Sequence, residues 1–135
     1  MPNTLIITKD HLDADNRYTG DVTCVGNIEI SENLGIVIFD GSLIATGCIL
    51  AKAGSGIEAG SGIKAGSGIE AGLGIKAGES IEAGESIEAG WVSVKLRIFV
   101  GLISHRLPEA SEMELRAELR GGVLAHGVHV PPAPS

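Results

Sequence analysis

The sequence predicts an all-β protein: a single-chain parallel β-helix (β-solenoid) of short six-residue strand units, about 18 residues to a coil. Three observations predict it. From Gly54 to Gly90 the chain repeats every six residues as GSGIEA, GSGIKA, GSGIEA, GLGIKA, GESIEA, GESIEA and a closing glycine. Each unit carries an Ile-Glu/Lys-Ala triplet, and because alternate side chains of a strand share a face, the triplet reads in, out, in. The order of the outward charges then selects a coil length. A helix is excluded, since the glycines are too frequent and a period of six moves Ile around a 3.6-residue turn.

Composition removes other classes. The chain has 135 residues, 13.8 kDa and a formal net charge of −7, which suits one domain. Its only aromatics are Tyr18, Phe39, Trp91 and Phe99, so the core must be thin and aliphatic. No apolar run approaches the ~18 residues of a membrane-spanning helix, and Met1-Pro2-Asn3-Thr4 does not begin a signal peptide, so the expected compartment is the cytoplasm. The acidic balance disfavours nucleic acid and anionic lipid, whose binding rests on Lys and Arg. Cys24 and Cys48 are too few for a disulfide framework and read as small apolar residues packed inside.

The solenoid is expected over residues 1–106, with irregular coils at 18–52, regular hexads at 53–90 and a final strand at 91–106. In the irregular part a glycine again opens short alternating strands: Gly20-Asp21-Val22-Thr23-Cys24-Val25, Gly26-Asn27-Ile28-Glu29-Ile30-Ser31, Gly41-Ser42-Leu43-Ile44-Ala45-Thr46 and Gly47-Cys48-Ile49-Leu50-Ala51. The six-residue phase breaks between Ser31 and Gly41 and again near Lys52, which predicts wider corners there. In the regular part Ile57, Ile63, Ile69, Ile75, Ile81 and Ile87 form the core repeat, each followed two places on by Ala. No such triplet can bury its apolar face alone, so the strands must stack coil upon coil. Two hexads per coil would place Lys64 over Lys76. Three per coil place Glu58 on Lys76 and Lys64 on Glu82, leaving only Glu70 over Glu88 repulsive.

After Gly90, Val92 to Ile98 alternates as an ordinary half-buried strand. Residues 107–130 are expected to form a C-terminal capping hairpin, because Gly121-Gly122 lies between two alternating runs. A helix over Met113 to Arg120 is the alternative, with Ser111 and Glu114 as a capping box. Residues 131–135, Pro131-Pro132-Ala133-Pro134-Ser135, read as a flexible tail.

Ile57-Glu58 followed by Ser61, and Ile63-Lys64 followed by Ser67, resemble the hexapeptide-repeat parallel β-helix proteins, whose units carry an aliphatic residue every six and a small residue four places on. This chain departs from that pattern at Leu73, Glu79 and Glu85, which stand where the family buries a small residue, so this position is expected to face solvent at a corner. The N-terminal half is similar in texture to bactofilins, and that resemblance implies a β-helix that polymerises end to end into filaments.

No motif carries chemistry. His126-x-x-His129 lacks a third ligand and His105 lies in no recognisable context, so the histidines read as surface residues. Asp13-x-Asp15 opens like a calcium loop but continues with Arg17, and reads as a solvated turn. There is no nucleophile elbow, phosphate loop or dinucleotide fingerprint. The expectation is no enzyme, cofactor, metal, small-molecule substrate, nucleic acid or membrane. It is a self-assembling structural scaffold, partnered by itself or by another protein. The alternative is a small acidic inhibitor of a basic toxin or nuclease, with Glu58, Glu70, Glu79, Glu82, Glu85 and Glu88 as its binding face. Ice binding, a third use of regular solenoids, wants a flat array of Thr or small residues where this chain has charges.

Overall fold

The computed structural model describes residues 3–101 and 114–130. In order the elements are β1 (Asn3–Ile7), a single 3-10 turn (Lys9–His11), β2 (Arg17–Tyr18), β3 (Val22–Cys24), β4 (Gly26–Ile30), β5 (Gly35–Phe39), β6 (Leu43–Ala45), β7 (Ile49–Ala51) and β8 (Ser55–Ala59). They continue with β9 (Ile63–Ala65), β10 (Ile69–Ala71), β11 (Gly74–Ala77), β12 (Ile81–Ala83), β13 (Ile87–Val100), β14 (Glu114–His126) and β15 (Val128–Val130). Every strand pairing is parallel, and the chain winds a β-solenoid of about five turns.

Three columns of strands make three faces. The first face stacks β1, β4, β7, β10 and the start of β13. The second stacks β2, β5, β8, β11 and the middle of β13. The third stacks β3, β6, β9, β12 and the end of β13. The coil length is not constant. On the first face Leu5 stands on Ile28, Ile28 on Ile49, Ile49 on Ile69 and Ile69 on Ile87, steps of 23, 21, 20 and 18 residues. The predicted coil of 18 holds for the hexads, where Ile57 meets Ile75 and Ile63 meets Ile81.

The strand period of two decides what is inside. Ile57, Ile63, Ile69, Ile75, Ile81 and Ile87 are all at most 2% exposed, and the alanines two places on are buried with them. Burial of one such Ile is worth roughly 1.5–3 kcal/mol, and the columns continue unbroken through Ile28, Ile30, Val37, Phe39 and Leu43. Corners need glycine where coils touch: a Cβ on Gly66 would run into the Thr46 carbonyl one coil back. Likewise a Cβ on Gly74 would enter the ring of Trp91, which folds back over it and carries the Arg120 guanidinium 5.1 Å from its centroid.

The irregular coils tie their corners with side chains. Asn16 Nδ2 donates to the carbonyls of Leu34 (2.6 Å) and Ile36 (2.8 Å). Asp21 Oδ1 accepts from the Ser42 amide and Asn27 Oδ1 from the Cys48 amide, each at 2.8 Å. Ser55 is fully buried; its hydroxyl donates to the Ser31 carbonyl at 2.5 Å and accepts the Leu34 amide at 3.0 Å.

Three expectations differ from the structure. The strand expected to begin after Gly90 is part of β13, which runs from Ile87 to Val100 and crosses all three faces. The capping hairpin does not form in the described part of 107–130, and nor does a helix. β14 lies parallel on β13 and β15 parallel on β14, so this segment continues the solenoid. The physical reason is the long open edge of β13: pairing with it satisfies the β14 backbone that a hairpin would have satisfied locally. Gly122, with φ +89°, turns a corner there instead of reversing the chain. Finally, Cys24 is half-buried against the core, but Cys48 sits on a corner and is exposed. His105 and the tail at 131–135 lie outside the described residues.

Candidate functional site

The triplet register that buries Ile and Ala sends the intervening charges outward, and the 18-residue coil sorts them. Glu58 and Lys76 share the second face, with Nζ 3.9 Å from Oε1. Lys64 and Glu82 share the third, with Nζ 3.9 Å from Oε2. A third bridge joins Lys52 to Glu29 at 3.8 Å. Arg17 donates to Asp40 at 2.6 Å, and that hydrogen bond, followed by the charge of Asp40, raises the guanidinium pKa. These side chains are between 26% and 64% exposed, so each pair adds little to stability.

Glu70 and Glu88 are different. They stand in register on the first face, and neither forms an ion pair among the described residues; Arg116, in register with Glu88 one coil on, is bonded to Glu114 instead. Glu79 is exposed on the corner between the second and third faces, and Glu85 is half-buried on the corner between the third and first. The six glutamates of the sequence-predicted binding face are therefore distributed over all three faces and two corners. Only Glu70 and Glu88 are brought together. Leu73, 38% exposed, joins Glu79 in facing solvent from a corner, so the departures from the hexapeptide pattern sit where the chain turns.

The remaining polar residues have structural partners. His126 Nδ1 donates to the Val100 carbonyl at 2.7 Å and His129 Nε2 to the Ala117 carbonyl at 2.6 Å. His129 stands in register with the buried Leu115, so a polar ring follows the last aliphatic residue of that column. Asp13 Oδ1 accepts the amides of Asp15 (2.9 Å) and Arg17 (3.1 Å), which makes that segment a turn. Among the described residues there is no group of three His, Cys, Asp or Glu placed to hold a metal ion, and no helix long and apolar enough to cross a membrane.

The ends of the rod carry a feature the periodicity did not signal. β1, β2 and β3 each pair on one side only among the described residues, leaving their outer edges unpaired. Ile6 (47%) and Val25 (73%) are exposed on that first coil, and Leu5, Tyr18 and Cys24 are only half-buried against the core. At the other end Val123 (62%) and Val128 (52%) are exposed. Comparison with known proteins gives no match: no family model, curated protein or solved structure aligns significantly with this chain.

Proposed function

We propose that this chain is a non-enzymatic structural scaffold that assembles by adding copies end to end, with kinship to the hexapeptide-repeat and bactofilin-like β-helices its sequence resembles. The observation that carries this reading is the first coil, with three unpaired strand edges and apolar side chains exposed around them. Unpaired edges are templates for strands of another chain, and exposed apolar residues gathered at one place mark an association surface. The exposed valines of the last coils supply an apolar counterpart. The acidic composition and the absence of a membrane-crossing helix among the described residues fit assembly in the cytoplasm.

The acidic-inhibitor reading has one observation in its favour, the unpaired Glu70 above Glu88. Its weakness is that the other four glutamates point elsewhere.

The test is solution mass by light scattering across a hundredfold concentration range, with electron micrographs of the most concentrated sample. Mass rising steadily with concentration, and rods many subunits long, are expected. Lysines introduced together at Ile6 and Val25 should shorten them. A discrete monomer at every concentration would overturn the scaffold and favour the inhibitor.

A further inference from the structure

The middle of the first face is a groove with a defined chemistry. Leu50, Glu70 and Glu88 stand one above another in register, and beside them runs an open channel lined by Ala53, Gly72 and Gly90. The floor is small residues and main chain, and one wall bears two carboxylates with no cation between them among the described residues; Arg116 follows Glu88 one coil on and is bonded to Glu114. In a three-sided rod the corner opposite this face is the one where the second face turns into the third. On that corner Lys95 and Arg97 are exposed, with Leu96 between them 57% exposed. Leu96 is held there by the bond from its amide to the Glu79 carbonyl (3.1 Å), and Val123, in register with Arg97, extends the apolar ridge one coil on. The Glu79 carboxylate on the same corner forms no ion pair with either cation among the described residues.

An apolar ridge flanked by two cations lies on one side of the rod, and a groove of small residues flanked by two anions on the other. We propose that copies of this chain associate side by side, the Lys95-Leu96-Arg97 corner of one seated in the Leu50, Glu70 and Glu88 groove of the next. The partner is thus a second copy of this chain. Because ridge and groove lie on opposite sides, the contact repeats by translation and does not close, so it builds an open row. The ridge sits one to two coils beyond the centre of the groove, which staggers neighbours by roughly 5–10 Å at the spacing of parallel strands. Apart from Val123, this lateral contact uses none of the residues invoked for end-to-end growth, and either association can exist without the other.

Charge exchange tests it. The double variant Glu70→Lys with Glu88→Lys has two basic sides, and Lys95→Glu with Arg97→Glu has two acidic sides. Each alone should lose lateral association at least about tenfold, judged by sedimentation and by rod width in micrographs. Mixed in equal amounts, the two should recover it, because each then finds its complement in the other. Wild-type association should weaken as salt rises. Unchanged circular dichroism in both variants guards against misfolding. Failure of the mixture to recover association, or wild-type width in either variant alone, would overturn the lateral contact. Loss of width with rod length preserved would leave the end-to-end reading standing. Wild-type rods that are long but single would overturn only the lateral contact, and a wild-type monomer would overturn both.

Discussion

The regular hexads and the coils that precede them build the same three-sided rod by different means. In the hexads the coil is 18 residues, the corners are two or three residues, and main-chain bonds from coil to coil satisfy them, as from Gly78 to Ala59 and Glu79 to Ser61. In the earlier coils the steps are 20 to 23 residues, and the extra residues fall where the first face turns into the second, where Asn16 and Ser55 bond the main chain with their side chains; Asp21, Asn27 and Thr46 do the same at corners of hexad width. A buried main-chain polar group must find a partner. The lengthened corner therefore relies on specific side chains, whereas a corner of hexad width can be closed by main-chain bonds alone.

What the two regions share should give the largest effects. Ile69, in the hexads, and Val37, in the irregular coils, are both buried in one continuous core. Ile69→Asp and Val37→Asp should each cost more than about 4 kcal/mol, since a carboxylate there has no partner. Urea melts followed by circular dichroism would show both variants unfolded or nearly so. A wild-type spectrum and melt for Ile69→Asp would refute its inward assignment and with it the common core.

Corners come next, and here tightly stacked and open ones diverge. Gly66→Ala drives a methyl into the Thr46 main chain, whose carbonyl carbon lies 2.9 Å from the new Cβ, and should cost about 3 kcal/mol. Gly20, with φ +91° and open space around it, should tolerate Ala at about 1 kcal/mol of backbone strain. Equal melting shifts for the two would mean the hexad coils are less tightly stacked than their register implies. Ser55→Ala should cost about 2 kcal/mol by stranding the Leu34 amide and the Ser31 carbonyl. Ser61→Ala, on a glycine-type corner, should stay within about 0.5.

Those corners also mark where the sequence stops being legible. The Ile and Ala columns can be read because side-chain direction depends only on strand parity, and the coil of 18 because three outward charge pairs constrain it. Ser55 and Asn27 cannot be read that way: their partners lie 21 to 24 residues away, a distance set by a coil length that changes at every turn. Gly121-Gly122 is ambiguous for a related reason. A glycine pair between alternating runs serves a hairpin or a solenoid corner equally well, and the free edge of β13 decided between them. Of the candidate site, composition revealed the charges but not their sorting over three faces, so the adjacency of Glu70 and Glu88 followed from the coil length while the Lys95-Leu96-Arg97 corner did not.

The smallest effect is the most direct test of that sorting. Glu58 over Lys76 is favourable and Glu70 over Glu88 unfavourable, although the four residues occupy equivalent outward positions of the same repeat. Glu58→Lys should therefore lower stability by about 0.5 kcal/mol, and Glu70→Lys should raise it by a similar amount. The same change of charge, made 12 residues apart, acquires opposite sign from the coil length alone. Urea titrations at low ionic strength should resolve the pair, and 1 M salt should erase both shifts, because exposed charges at these distances are screened. Two destabilising shifts of equal size would mean that the outward charges do not sense the coil above and below them.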